Sequence, residues 1–188
     1  MASNRPLDTN PRVGRLRVFS NNHIIGRYIA NTFNKGSGAL ETTNTSADAL
    51  QIRIAPTNFD RDYIEILNSP ESDLAWLGTS FRSATPALGK DSAEWASLTV
   101  VNGPGEKSPK HAGPDTAGPI GKKIWDIALD GRLIGAWQDD ENLVSYQFYF
   151  VYSVSQKCIY AVTSKAAFTK NNPDQKYHDV TLVLEPAA

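Results

Sequence analysis

Tyr146-Gln147-Phe148-Tyr149-Phe150-Val151-Tyr152 is the stretch that decides what kind of fold this chain makes. Its largest side chains recur at every second residue, and a two-residue period puts Tyr146, Phe148, Phe150 and Tyr152 on one face of an extended strand. Gln147, Tyr149 and Val151 take the other face, so both sides of the strand are at least half apolar. Phenylalanine at such positions fills a core, whereas a tyrosine hydroxyl wants a partner or water. Tyr146, Tyr149 and Tyr152 are therefore candidates to line a ligand pocket, although core packing is the commoner use of such residues.

The same period runs outward from this segment in both directions. Short alternating runs bounded by turn residues occupy 15–20, 25–33, 39–43, 50–55, 63–68 and 74–81, then 95–102, 123–129, 132–138, 144–154, 158–164 and 180–185. About twelve short antiparallel strands predict an all-β domain: a trefoil, a closed barrel or a jelly-roll sandwich. Helical signals are confined to 91–98, where Asp91 and Ser92 precede a short helix-compatible run. Residues 1–13 are polar, aperiodic and hold two prolines, which reads as a flexible leader before a single domain at 14–188. Between 103 and 121 the chain has five glycines and four prolines, too many for a regular ladder, so a long surface loop is expected there. Nothing apolar within it is suited to docking it firmly.

The twelve runs group into three sets of four, beginning near Gly14, Asp62 and Lys122. The first set is the clearest: a strand, then Gly26-Arg27-Tyr28-Ile29-Ala30, a Gly-rich turn, and Leu50-Gln51-Ile52-Arg53-Ile54. That order of elements resembles one lobe of a β-trefoil, which makes the trefoil the preferred architecture. The ricin-type trefoils carry a Gln-any-Trp signature in each lobe. Here the matching place reads Gln51-Ile52-Arg53 in the first lobe, with nothing similar in the others, so the likeness covers architecture alone.

Composition narrows the function classes. With 19 basic and 20 acidic residues the formal charge is -1, so no overall field draws the protein to nucleic acid or anionic lipid. No window approaches the ~20 apolar residues of a membrane-spanning helix, and the N-terminus has no signal-peptide core. Cys158 is the only cysteine, which rules out an intrachain disulfide and suits a reducing, cytoplasmic setting. On its apolar strand it reads as a small hydrophobe.

Trp137-Gln138-Asp139-Asp140-Glu141-Asn142 places an aromatic plate directly before carboxylates and amides. Sugars stack their apolar ring faces on indole and bond their hydroxyls to such groups, so Trp137, Gln138, Asp139, Asp140 and Asn142 are candidate ligand contacts. The same acids and amides also suit a plain solvated turn, and they lack the alternating oxygens and glycine of a calcium loop. His23, His111 and His178 have no metal-ligand spacing, and no cofactor motif is present. His178 and Asp179 are adjacent, which on a strand sends them to opposite faces. Gly103-Pro104-Gly105-Glu106-Lys107-Ser108 lacks the spacer of a phosphate loop, and Gly118-Pro119-Ile120-Gly121-Lys122-Lys123 has lysine where the hydroxyl belongs. The absence of a catalytic set points to a non-catalytic binding protein, either lectin-like or a protease inhibitor, with a glycan or a protein as its partner. The alternative is a β-barrel enzyme of isomerase or cyclase type, or a carrier, that encloses a small hydrophobic molecule.

Overall fold

In a computed structural model of the protein, residues 11–21, 25–55, 62–139 and 143–187 are described. Their regular structure is almost entirely antiparallel strand. The first group is β1 (Arg12–Phe19), β2 (Tyr28–Phe33), β3 (Leu40–Thr43) and β4 (Gln51–Ile54). The second is β5 (Ile64–Ile66), β6 (Trp76–Phe81), β7 (Trp95–Val101), β8 (Ile120–Gly121) and β9 (Trp125–Ile127). The third is β10 (Leu133–Asp139), β11 (Val144–Gln147), β12 (Tyr149–Ser153), β13 (Cys158–Val162) and β14 (Tyr177–Pro186).

Each of the twelve runs read by alternation contains strand, and three details differ. The run at 144–154 divides at Phe148, whose N–H leaves the ladder for the Gly135 carbonyl at 2.8 Å. The 91–98 segment is not helical. Trp95, Ala96, Ser97 and Leu98 begin β7, where full pairing with β6 outweighs a weak local preference. The helix instead lies at α1 (Lys165–Asn171), where the Ser164 side chain accepts from the Ala167 N–H. In addition, β1 starts at Arg12, inside the segment read as leader.

Six strands join in a closed circuit. β1 pairs with β4 and with β14, β4 with β5, and β9 with β10. The bridges Asp62↔Trp125 and Arg132↔Val183 complete the circuit from β5 to β9 and from β10 to β14. Alternation in these strands sends Leu16, Ile52, Ile54, Ile64, Trp125 and Leu182 into the core, each 2 % exposed or less. Burying each such aliphatic side chain contributes about 1.5–3 kcal/mol. The Trp125 indole donates to the Leu77 carbonyl at 2.8 Å and stacks on Phe150, so its one polar atom is satisfied inside the core.

A hairpin interrupts each pass around the circuit: β2–β3 between β1 and β4, β6–β7 between β5 and β9, β12–β13 between β10 and β14. The three hairpins meet. Cys158 pairs with Glu41, and Tyr160 pairs with Ser97. Ser97 Oγ and Thr99 Oγ1 donate to the Ser37 and Gly38 carbonyls, each at 2.7 Å. Outside the third hairpin a second apolar cluster forms around Val151, Cys158, Tyr160, Val162 and Phe168, with α1 supplying Phe168 as its lid.

The Gly/Pro-rich 103–121 segment is held by hydrogen bonds where apolar anchors are scarce. Asn102 donates from Nδ2 to the Ser108 carbonyl at 2.7 Å and accepts the Lys110 N–H at 3.0 Å. The Lys122 ammonium caps Asn102 Oδ1 and the Gly103 carbonyl. Further on, Ala112 donates to Val100, Phe81 donates to Pro119, and β8 pairs with β6. Gly118 fits because a Cβ there would lie 2.0 Å from the Phe81 carbonyl oxygen.

Candidate functional site

The predicted ligand residues divide into one group that converges and others that do not. Trp137 on β10 stands directly opposite Tyr146 on β11. The inward face of β10 runs from Leu133 through Gly135 to Trp137, and at Trp137 burial becomes partial. Its ring packs on the main core and meets Phe81 edge-on, with centroids 5.4 Å apart at 87°. The result is a partly buried aromatic shelf made of Trp137 and Tyr146 on one face of the β10–β11 pair. Gly89 comes close on one side, since a Cβ built on it would lie 3.8 Å from the Tyr146 ring. That residue is in turn strapped to β13's end, because Thr163 Oγ1 accepts the Gly89 N–H and donates to the Gly89 carbonyl, both at 3.1 Å. Gln138 follows Trp137 on β10 and is exposed on the opposite face of the strand, and Asp139 closes β10 opposite Val144. Asp140 and Asn142 lie outside the described residues, as does His23.

The remaining tyrosines go elsewhere. Tyr152 is buried at 8 % exposure within the main core beside Phe150, so it packs as the alternation of its strand implies. Tyr149 points the opposite way, is 41 % exposed and lies under the Lys165 ammonium, 5.4 Å from the ring centre. Neither joins Trp137. Of the adjacent pair on β14, Asp179 is engaged with Lys165 at 2.8 Å.

A cleft of about 560 Å3 opens between residues 109–120 of the 103–121 segment and Glu71, Asp73 and Leu74 in the turn before β6. His111, Thr116 and Lys110 line it from that segment, facing Glu71 and Asp73. His111 Nδ1 lies 2.7 Å from the Ala112 carbonyl, which can only accept, so Nδ1 carries the proton. In the neutral ring Nε2 is then the acceptor for Thr116 Oγ1–H at 3.1 Å. Thr116 Oγ1 accepts in turn from the buried Ser80 hydroxyl, also at 3.1 Å. Sequence reading passed over this arrangement. His111 has no metal-like spacing, and Ser80 is separated from Thr116 by 36 residues, so no local motif could show it.

Other ionisable groups are perturbed by burial away from both places. Desolvation pushes the Cys158 thiol up, with Glu41 adding to the effect, and also raises Tyr160 and Tyr177. Tyr160 donates its hydroxyl proton to Gln156 Oε1. The Lys122 ammonium is pushed down, chiefly by desolvation, against the opposing attraction of Glu106. Among the described residues no cluster of three His, Cys, Asp or Glu could hold a metal ion. Nor is any helix among them long and apolar enough to cross a membrane. No family model, curated protein or solved structure matches this chain.

Proposed function

We propose that the chain is a lectin-like binding module of β-trefoil architecture, which holds a saccharide on the Trp137–Tyr146 shelf without transforming it. The trefoil reading is supported by the six-strand circuit, by the three hairpins that meet one another, and by the three sequence groups starting near Gly14, Asp62 and Lys122. The observation that carries the saccharide reading is the partly exposed Trp137 paired across β10 and β11 with Tyr146, whose phenol hydroxyl is the polar group on the same face. A sugar presents C–H groups on one face and hydroxyls around its rim, which is the chemistry a flat aromatic and a neighbouring phenol hydroxyl satisfy together. A reducing cytoplasmic location suits the single buried thiol. A ligand inside the barrel has less support, because apolar side chains occupy the inward positions of all six strands.

Glycan-array screening followed by calorimetric titration of the best sugar tests this reading. Trp137→Ala should weaken that sugar at least tenfold, and Tyr146→Phe should weaken it severalfold while leaving the melting temperature unchanged. Silence of the wild-type chain across the array, or unchanged affinity in both variants, would overturn it. Protease inhibition through a loop is the second reading, favoured by Leu129, which is 89 % exposed in the turn between β9 and β10. An apolar residue on a tight hairpin tip has the form that enters a protease specificity pocket. Dose-dependent inhibition in a protease panel that disappears in Leu129→Asp would decide for it.

A further inference from the structure

We propose that the cleft between the 103–121 segment and the turn joining β5 to β6 is a second functional centre that hydrolyses small carboxylic esters, with Thr116 as nucleophile and His111 as its base. An activated nucleophile needs a hydroxyl, a base within hydrogen-bond reach, and a third group that orients the base. All three are present: Thr116 Oγ1 lies 3.1 Å from His111 Nε2, and His111 Nδ1 lies 2.7 Å from the Ala112 carbonyl. That carbonyl holds the ring in the one neutral tautomer whose Nε2 lone pair faces the hydroxyl. Ser80 adds a fourth member: with Thr116 donating to Nε2, the Ser80 Oγ–H is the donor to Thr116 Oγ1 and holds that hydroxyl in place. Ser80 is 2 % exposed, so this donor is shielded from water, while Thr116 itself opens onto the cleft.

The chemistry balances with water as the only co-reactant. Thr116 Oγ1 attacks the ester carbonyl carbon as its proton passes to His111 Nε2. The carbonyl π electrons move onto oxygen, where the Lys110 ammonium on the cleft wall is the cation within the lining. Collapse breaks the bond to the alcohol oxygen, which leaves with the proton from Nε2. A water molecule then attacks the acyl-threonine, gives a proton to Nε2, and releases the carboxylic acid as Thr116 recovers its hydrogen. Glu71 and Asp73 on the facing wall accept hydroxyl or ammonium donors, so the favoured alcohol portion is polyhydroxylated or cationic. The cleft and the Trp137 shelf use different residues, and either assignment stands if the other fails.

The test uses the full chain and 4-nitrophenyl acetate. Wild type should release nitrophenolate faster than an equal concentration of free imidazole. Intact-mass analysis after a short incubation should find one added acetyl group, mapping to Thr116. Thr116→Val and His111→Gln should each reduce turnover at least tenfold, and Thr116→Ser should retain it. Turnover at the free-imidazole level, acetylation only on lysines, or full activity in a folded His111→Gln variant would overturn the proposal. Circular dichroism shows which variants fold, and the wild-type mass measurement decides the question even if the substitutions unfold the loop.

Discussion

Replacing Trp125 with alanine should destabilise the protein by about 4 kcal/mol, because this side chain joins the six-strand circuit to the β6–β7 and β12–β13 hairpins. The residue is fully buried, stacks on Phe150 with ring centres 6.3 Å apart, and donates to Leu77 at 2.8 Å. A buried indole removes about 200 Å2 from water. At about 25 cal/mol per Å2 that amounts to roughly 5 kcal/mol, reduced by some 10–40 % because the unfolded chain is itself partly compact. Measured Trp→Ala costs of about 3–5 kcal/mol agree with this range. Trp125→Phe keeps most of the packing and loses the donor, so its cost should be about 1–3 kcal/mol. Urea unfolding followed by near-ultraviolet circular dichroism, with calorimetry in parallel, measures both. For a chain this long each kcal/mol moves the melting temperature by about 2–4 °C, so the alanine variant should melt roughly 8–16 °C lower. A loss under about 1.5 kcal/mol for Trp125→Ala would refute the central role of this side chain. Equal losses for the two variants would show that the hydrogen bond, and not the packing, carries its contribution.

Stability should fall in alkali. Cys158, Tyr160 and Tyr177 hold their protons more tightly folded than unfolded. Their contribution is therefore complete below the unfolded thiol value of about 8.5 and is lost as pH rises through the folded values. Urea midpoints that stay level from pH 7 to pH 11 would contradict this. Phe168→Ala should cost about 3 kcal/mol, since Phe168 is 1 % exposed and packs edge-on against Tyr177 at 4.6 Å. The same change should speed maleimide labelling of Cys158, and an unchanged labelling rate would mean that α1 does not cover the thiol. Gly118→Ala should cost about 1–3 kcal/mol and make the 103–121 segment more sensitive to protease, because the new methyl cannot share space with the Phe81 carbonyl. Wild-type cleavage kinetics in that variant would show that the segment is not seated against β6.

The strands were legible because each is short and its period is local. Ile52 and Ile54 alternate with Arg53, and the structure puts the isoleucines inside and the arginine in an ion pair with Glu65. Misreadings arose where neighbours outweighed local preference. The 91–98 run has an acceptable helix start, yet pairing with β6 turns its second half into strand. The helix at α1 was missed because Ser164 was read as the end of the alternating run 158–164, and its capping bond shows only in the structure. Trp137 and Tyr146 were both identified as candidates, and their pairing depends on hairpin register. The cleft was illegible because its parts come from distant segments.

By itself the sequence determined that the backbone would be extended, which side chains would turn inward, and that no strong charge or local metal or cofactor motif would mark a partner. Those properties depend on spacings of two residues and on counts, both of which a linear chain displays directly. Only the tertiary structure decided which strands close the circuit, which aromatics stay partly exposed, and that Ser80, Thr116 and His111 stand in hydrogen-bond contact. Such facts depend on contacts between residues far apart along the chain, whose positions are set by global packing and not by any local preference.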